Sequence, residues 1–251
     1  MSIASNWNTG ISSDWITISE MNMVGKVYSI AEPNPSKDLI EKVTSQYSTI
    51  LADPPWQFQN RTGKVAPEHR RLLRYPTMEV KEIMDLPVSQ LAAAKSHLYL
   101  WVPNALLMEG LKVMEAWGFT YKTNLVWYKV RKDGGPDGRG VGFYFRNVTE
   151  LILFGVRGSM RTLPAGRTQV NLFATRKREH SRKPDEIYDL VEACSPGPYL
   201  ELFARFRQQG WHQWGNEDVE ENSLYGVAKR NGHADRQLRL LESPKGYKAA
   251  E

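Results

Sequence analysis

The stretch TILADPPWQF, residues Thr49 to Phe58, decides the fold. An apolar, β-branched run ends at an aspartate and is followed by two prolines and a tryptophan. YSTILA, Tyr47–Ala52, reads as a buried strand. Asp53 then stands at its carboxyl end. Pro54 and Pro55 lack N–H groups and have fixed φ, so nearby carbonyls are expected to point outward without ordinary turn bonds. The segment offers a carboxylate, a fixed carbonyl and a flat aromatic face. That set suits a planar heterocycle bearing an amino group, and a nucleic-acid base can be held so only when single-stranded or flipped out. This reading needs the Trp56 ring to be open to the site. The alternative is that Asp-Pro-Pro is a turn and Trp56 plugs the core.

Further strands and helices follow in alternation. SHLYLWV, TNLVWYKV, ELILFGV and YLELFA read as strands. A helix is expected over KDLIEKVTSQ. Another is expected over MEVKEIM, with Thr77 as its cap. In PNALLMEGLKVMEAWGF, Pro103 opens a helix, Leu107, Leu111 and Met114 line one face, and Gly118 stops it. In KPDEIYDLVEACSPG, Pro184 takes a first helical position, with Asp185 and Glu186 in the first turn. Ile187, Leu190 and Val191 form its apolar stripe. Strands alternating with helices imply an α/β chain with a mostly parallel, doubly wound sheet. In such folds ligands sit at the carboxyl ends of the strands, where Asp53 stands.

The chain has 251 residues, 41% of them hydrophobic, enough for one sizeable core. Residues 1–35 read as a polar N-terminal arm, 36–217 as the main domain, and 218–251 as a charged tail, partly helical or mobile. No apolar run is long enough to span a membrane, and the N-terminus lacks the pattern of a secretory signal. Cys194 is the sole cysteine, so disulfides and zinc–cysteine sites are excluded and a reducing cytosol is the natural compartment. Its expected role is packing. No histidine has an HxH or HExxH partner, and no metal is called for.

The net charge is +5, unevenly spread. Lys122 to Lys183 holds 14 Lys and Arg against 4 Asp and Glu. A polyanion partner and a solvated basic face explain this equally well. Two long loops, 57–75 and 131–146, carry Arg61, Lys64, Arg70, Arg71, Arg74, Arg131, Lys132, Arg139 and Arg146. With Lys129 they read as a gate that grips backbone phosphate. Tyr144 and Phe145 are candidates for stacking on bases, although at least one is expected to pack beneath the loop. Arg176, Lys177 and Arg178 are weaker candidates for the same surface.

DPPW directly after a strand resembles the catalytic motif of the MT-A-seventy type of N6-adenine methyltransferase. The resemblance runs from about Tyr47 to Asn216. It includes YPTM, HLYLWVPN, GFTYKTNLVWYK, GRGVGFYFRNVTELILFGVRG, HSRKPDEIYDLVEACSPG, ELFAR and WGNE, in that order. It implies a Rossmann-like sheet in permuted order, with the catalytic motif before the cofactor strand, and S-adenosylmethionine as cofactor. Asp53, Pro54, Pro55 and Trp56 are then catalytic, and Asp53 also lies near the cofactor's amino group. The resemblance places Lys183 at the cofactor carboxylate, Asn216 at its ribose or adenine end, and Glu201 and Arg205 beside the ribose. Glu201 paired with Arg205 at a sheet edge is an equal alternative. Arg61, Lys64, Arg71, Lys129, Arg131, Arg139, Tyr144 and Arg146 form the expected substrate surface.

The usual glycine-rich cofactor loop is absent after ELFA. With Trp56, this argues against a cytosine-amine methyltransferase. An intact DPPW and Lys183 argue against a non-catalytic nucleic-acid-binding scaffold. Adenine in DNA is the preferred substrate, by likeness to short bacterial and phage relatives, with RNA the alternative. A homodimer or heterodimer is open. A bacterial or phage-encoded cytoplasmic protein is expected, with a nucleus left open.

Overall fold

The computed structural model describes residues 34–57, 77–138, 144–176 and 183–215. These form a seven-stranded sheet with helices on both faces. The elements are α1 (Pro35–Lys42), β1 (Tyr47–Ala52), α2 (Val80–Met84), α3 (Val88–Leu91), β2 (Ala92–Val102), α4 (Leu107–Ala116), β3 (Thr120–Val130), β4 (Thr149–Arg157), β5 (Leu172–Arg176), α5 (Glu186–Cys194), β6 (Tyr199–Leu202) and β7 (Trp211–Trp214). The strand order is β5-β3-β4-β2-β1-β6-β7. β4 alone runs against its neighbours β2 and β3, and the other four pairings are parallel. The expected α/β, mostly parallel, Rossmann-like architecture is therefore present.

β1 sits at the turning point of this order. The chain leaves it for β2 on one side and returns much later as β6 on the other. Its carboxyl end is thus the crevice where doubly wound sheets take ligands. Asp53 is the first residue past that end, and its N–H reaches Leu202 O of β6 at 3.4 Å.

Alternation along each strand divides the core in two. Ile50 and Ala52 of β1 face a layer built by Leu39 of α1, Ile83 of α2, Val88 and Leu91 of α3, and Val113 and Met114 of α4. Leu51 faces the opposite layer, with Tyr99, Trp101, Trp127 and Ile187, Leu190, Val191 and Cys194 of α5. Cys194 is buried there as a packing residue.

Several local expectations need correction. Glu79, not Thr77, precedes the first turn of α2, and its N–H donates to Glu82 Oε2 at 2.7 Å. Residues 104–106 form a short 3-10 turn before α4. The buried face of α4 is Gly110, Val113 and Met114, while Leu107 is exposed. Gly110 allows that approach, because a Cβ there would meet Val102 Cγ2 at 2.6 Å. Gly118, at φ +82°, stops the helix as expected. α5 begins at Glu186, just after Pro184 and Asp185. β5 and β7 were not foreseen. Both are short edge strands, and WHQW places two polar residues between its aromatics.

Candidate active site

One face of the sheet gathers charge at its carboxyl edge. Leu51 of β1 points toward α5, and Asp53, two residues on, continues that row. β3 brings Trp127 and Lys129 to the same face. β4 runs the other way, so its beginning, not its end, reaches this edge and delivers Glu150. Lys183 arrives just before α5.

These side chains form a chain of alternating charge. Lys129 Nζ lies 2.5 Å from Glu150 Oε1. Glu150 Oε2 lies 3.1 Å from Lys183 Nζ. Lys183 Nζ lies 3.1 Å from Asp53 Oδ1. Beneath them, Lys129 covers the Trp127 ring and Lys183 the Trp101 ring, each at 4.9 Å from the centroid. The two indoles meet edge to face. Weakly hydrated ring faces under two ammonium groups favour cations.

Burial alone would discharge such a cluster. It raises the cost of ionising Glu150, but the Lys183 and Lys129 ammonium groups outweigh it and hold the Glu150 pKa down at about 2. Burial likewise disfavours the Lys183 ammonium, yet Asp53 and Glu150 outweigh it and hold its pKa above the ordinary lysine value. Glu150 and Lys183 stay charged at neutral pH. Lys183 keeps 26% of its side chain exposed and Asp53 23%, so both remain reachable from the edge.

The turn after Asp53 differs from the expectation. The Pro54 carbonyl accepts the Trp56 N–H at 2.8 Å, so it makes a tight turn bond after all. The Pro55 carbonyl accepts the Met78 N–H at 2.9 Å, and the Gln57 N–H donates to the Met78 carbonyl at 3.2 Å. Met78, from YPTM, therefore pins the proline turn. Trp56 is also corrected. Its ring is 5% exposed and packed in the core, and its indole N–H donates to the Trp101 carbonyl at 2.9 Å. It fixes the turn to β2 and offers no face to a base, so the aromatic part of the expected base grip is withdrawn and only the Asp53 carboxylate and the Pro54 carbonyl remain of that set.

β6 and β7 carry a second polar group on the same face. Tyr188 OH donates to Glu201 Oε1 at 2.9 Å, and Gln213 Nε2 donates to Glu201 Oε2 at 2.6 Å. Burial pushes the Glu201 carboxyl up to about 7, with the nearby Asp53 charge adding, against the two hydrogen bonds. Burial, then the Glu201 charge, lifts Tyr188 well above the ordinary phenol value, so it remains a donor.

The expected substrate surface divides. Lys129 is corrected: it is 13% exposed and committed to Glu150, not free for phosphate. Arg131 is exposed and holds Asp133 with two bonds, of 3.1 and 2.8 Å. A surface pair of that kind is weak, and an incoming phosphate competes with it. Arg146 is exposed, with Nη1 3.5 Å from Gly138 O. Tyr144 and Phe145 are 94% and 86% exposed, so neither packs beneath the loop. Arg61, Lys64, Arg70, Arg71, Arg74, Arg139, Lys177, Arg178 and Asn216 lie outside the described residues.

Glu150, Trp101, Trp127, Tyr188 and Gln213 were missed as site residues. An acid opening an otherwise apolar strand was the one available signal for Glu150. Its meaning depends on β4 being antiparallel, which local pattern does not show.

The MT-A70 family model matches residues 47–217. The chain is 28% identical over 208 residues to the type II methyltransferase M.MunI of a Mycoplasma species, covering 76% of this chain and 86% of that protein. It is 28% identical over 181 residues to a putative MT-A70-like N(6)-adenosine-methyltransferase of Medicago truncatula, with 70% of this chain and 27% of that protein covered. It is 27% identical over 181 residues to the human N(6)-adenosine-methyltransferase catalytic subunit METTL3, covering 70% and 29%. The chain thus spans most of the first relative but under a third of the plant and human ones.

Proposed function

The chain belongs to the MT-A70 family of N6-adenine methyltransferases, and we propose that it transfers a methyl group from S-adenosylmethionine to the N6 amine of an unpaired or flipped adenine, in DNA by preference. The observation that carries this reading is the Lys129–Glu150–Lys183–Asp53 chain at the switch point of the sheet.

The donor set fits the cofactor. Its amino-acid end is a zwitterion, and Lys183 and Asp53 offer one partner for each charge, 3.1 Å apart. Glu201, with Arg205 on the loop that follows, offers hydrogen-bond partners for ribose hydroxyls at the end of β6. Asn216 completes this set in our reading. When bound, the cofactor supplies a sulfonium-activated methyl group and so needs no metal.

The chain's own residues orient and polarise the amine. An adenine amine is a poor nucleophile, because its lone pair is delocalised into the ring. Asp53 accepts one of its N–H bonds. The Pro54 carbonyl, with one lone pair already on the Trp56 N–H, has a second lone pair for the other. Both bonds drive the nitrogen toward tetrahedral geometry and align it with the methyl group. Positive charge grows on that nitrogen, and the Asp53 carboxylate stabilises it. Lys129 holds Glu150, Glu150 holds Lys183, and Lys183 fixes the Asp53 carboxylate in place.

Tyr144, Phe145, Arg146 and Arg131 stand at the same rim, on the connection between β3 and β4. They support a single-stranded segment by stacking and phosphate contact. Residues 36–217 act as the catalytic unit in this reading, with the permuted motif order. No helix among the described residues is long and apolar enough to cross a membrane, and a cytoplasmic site of action is proposed.

The test is calorimetry with S-adenosylmethionine, followed by transfer of labelled methyl to adenine-containing DNA and RNA oligonucleotides. N6-methyladenine in digested DNA product is expected. Product only in RNA would reverse the substrate choice. No cofactor binding would sink the proposal.

A further inference from the structure

Gln213 sits in the centre of the last described strand and uses its whole amide. One N–H bond goes to Glu201 Oε2 at 2.6 Å and another to the Phe206 carbonyl at 2.6 Å. Its Oε1 accepts the Gln208 N–H at 2.8 Å. The side chain therefore pairs with the backbone on both sides of Arg207, as a neighbouring strand would. Glu201, in register beside it on β6, is itself held by Tyr188 from α5.

The loop so clamped has no regular structure of its own. It leaves β6 through Phe203 in the left-handed region, at φ 66°, and returns through Gly210 at φ 81°. Among its other anchors, the Ala204 N–H donates to the Trp214 carbonyl at 3.0 Å. A glycine-rich loop would bind a ligand through its own backbone turn. Here a side-chain amide from the next strand sets the backbone instead.

We propose that Gln213 is a positioning residue for cofactor binding, holding Glu201 and the loop that carries Arg205 in the shape that receives the nucleoside half of S-adenosylmethionine. This rests on the site assignment above. The clamp ties three things together: the carboxyl group of Glu201, the loop between β6 and β7, and the phenol of α5. It acts on affinity and leaves the methyl-transfer step alone, because its bonds go to Glu201 on β6 and to Phe206 and Gln208 of the loop, not to the Asp53 turn.

Two measurements test it. Hydrogen exchange on the cofactor-free parent is expected to show a protected Gln208 amide. Gln213→Met is expected to lose that protection and to raise KM for S-adenosylmethionine about ten-fold, with kcat and the oligonucleotide KM within about two-fold of the parent. Gln213→Glu keeps an acceptor for the Gln208 N–H but sets a carboxylate against Glu201 and the Phe206 carbonyl, and a rise at least as large is expected if it folds where the Met variant does not. A cofactor KM unchanged in the variant that folds would overturn the inference, as would free exchange of Gln208 in the parent. A parent with a protected Gln208 amide that binds no cofactor would overturn the site assignment instead.

Discussion

The Lys183 ammonium lies 3.1 Å from the Asp53 carboxylate and the same distance from Glu150. One cation thus joins the tip of β1 to the start of β4, across the end of β2. Removing it leaves two acids facing each other. Lys183→Met is expected to lower stability by about 2 kcal/mol, less than the loss at a fully buried pair because the side chain is a quarter exposed. Cofactor affinity should fall more steeply than stability. Denaturant melts and calorimetry on the same preparation check both, and unchanged cofactor binding would refute the assigned role.

Asp53→Asn keeps the shape of the site and removes its charge. Methyl transfer is expected to fall by a factor on the order of 10²–10³ in kcat, as for loss of a preorganised electrostatic partner. Transfer at the parent's rate would exclude Asp53 from the mechanism.

Two glutamates on one face should titrate with opposite effect. Glu150 has a folded pKa of about 2 against an ordinary 4.5, so its contribution is present above pH 4.5 and lost as pH falls toward 2. Glu201 is raised to about 7, so its contribution is present below pH 4.5 and lost as pH rises through 7. Thermal melts across pH 3–8 are expected to show Glu150→Gln with a flatter acid limb and Glu201→Gln with a flatter slope between about 4.5 and 7. Unaltered slopes in both variants would contradict the burial and pairing described.

Trp56 is a core residue with one polar bond. Trp56→Phe loses the hydrogen bond to the Trp101 carbonyl and should cost about 1–2 kcal/mol, while Trp56→Ala should cost about 3–5 kcal/mol. Neither change should alter oligonucleotide KM in the protein that remains folded. A selective loss of oligonucleotide affinity in the Phe variant would show that the ring meets the base.

The exposed pair Tyr144 and Phe145 can be removed without touching the core. The double alanine variant should melt like the parent and bind cofactor like the parent. Its oligonucleotide KM should rise at least ten-fold, since stacking is worth about 1–3 kcal/mol per base. An unchanged KM would assign these rings to another partner.

Much of the fold was legible because it rests on local chemistry. The run Thr49–Ala52, the apolar stripe of α5 and the glycine after α4 each announce an element through side chains within a few residues. Asp53 was legible from its place at the end of β1 and Lys183 only through resemblance to a family, while their pairing was not legible. Trp56 was misread because its environment is made by β2, distant in sequence. Lys129 looked like a phosphate contact because nothing near it in the chain shows that Glu150 lies across the sheet. Gln213 carried no signal at all, since a glutamine in a short polar-aromatic strand has many ordinary uses.

The single reversed strand gives the protein room to diversify. Because β4 runs against β2 and β3, the connection from Val130 to Thr149 doubles back at the edge that carries Lys129 and Glu150. Residues added there would enlarge the substrate-facing border while every ladder bond of the sheet stays in register. Target choice can therefore drift by growth at that border, independently of the charged chain that the same strand anchors.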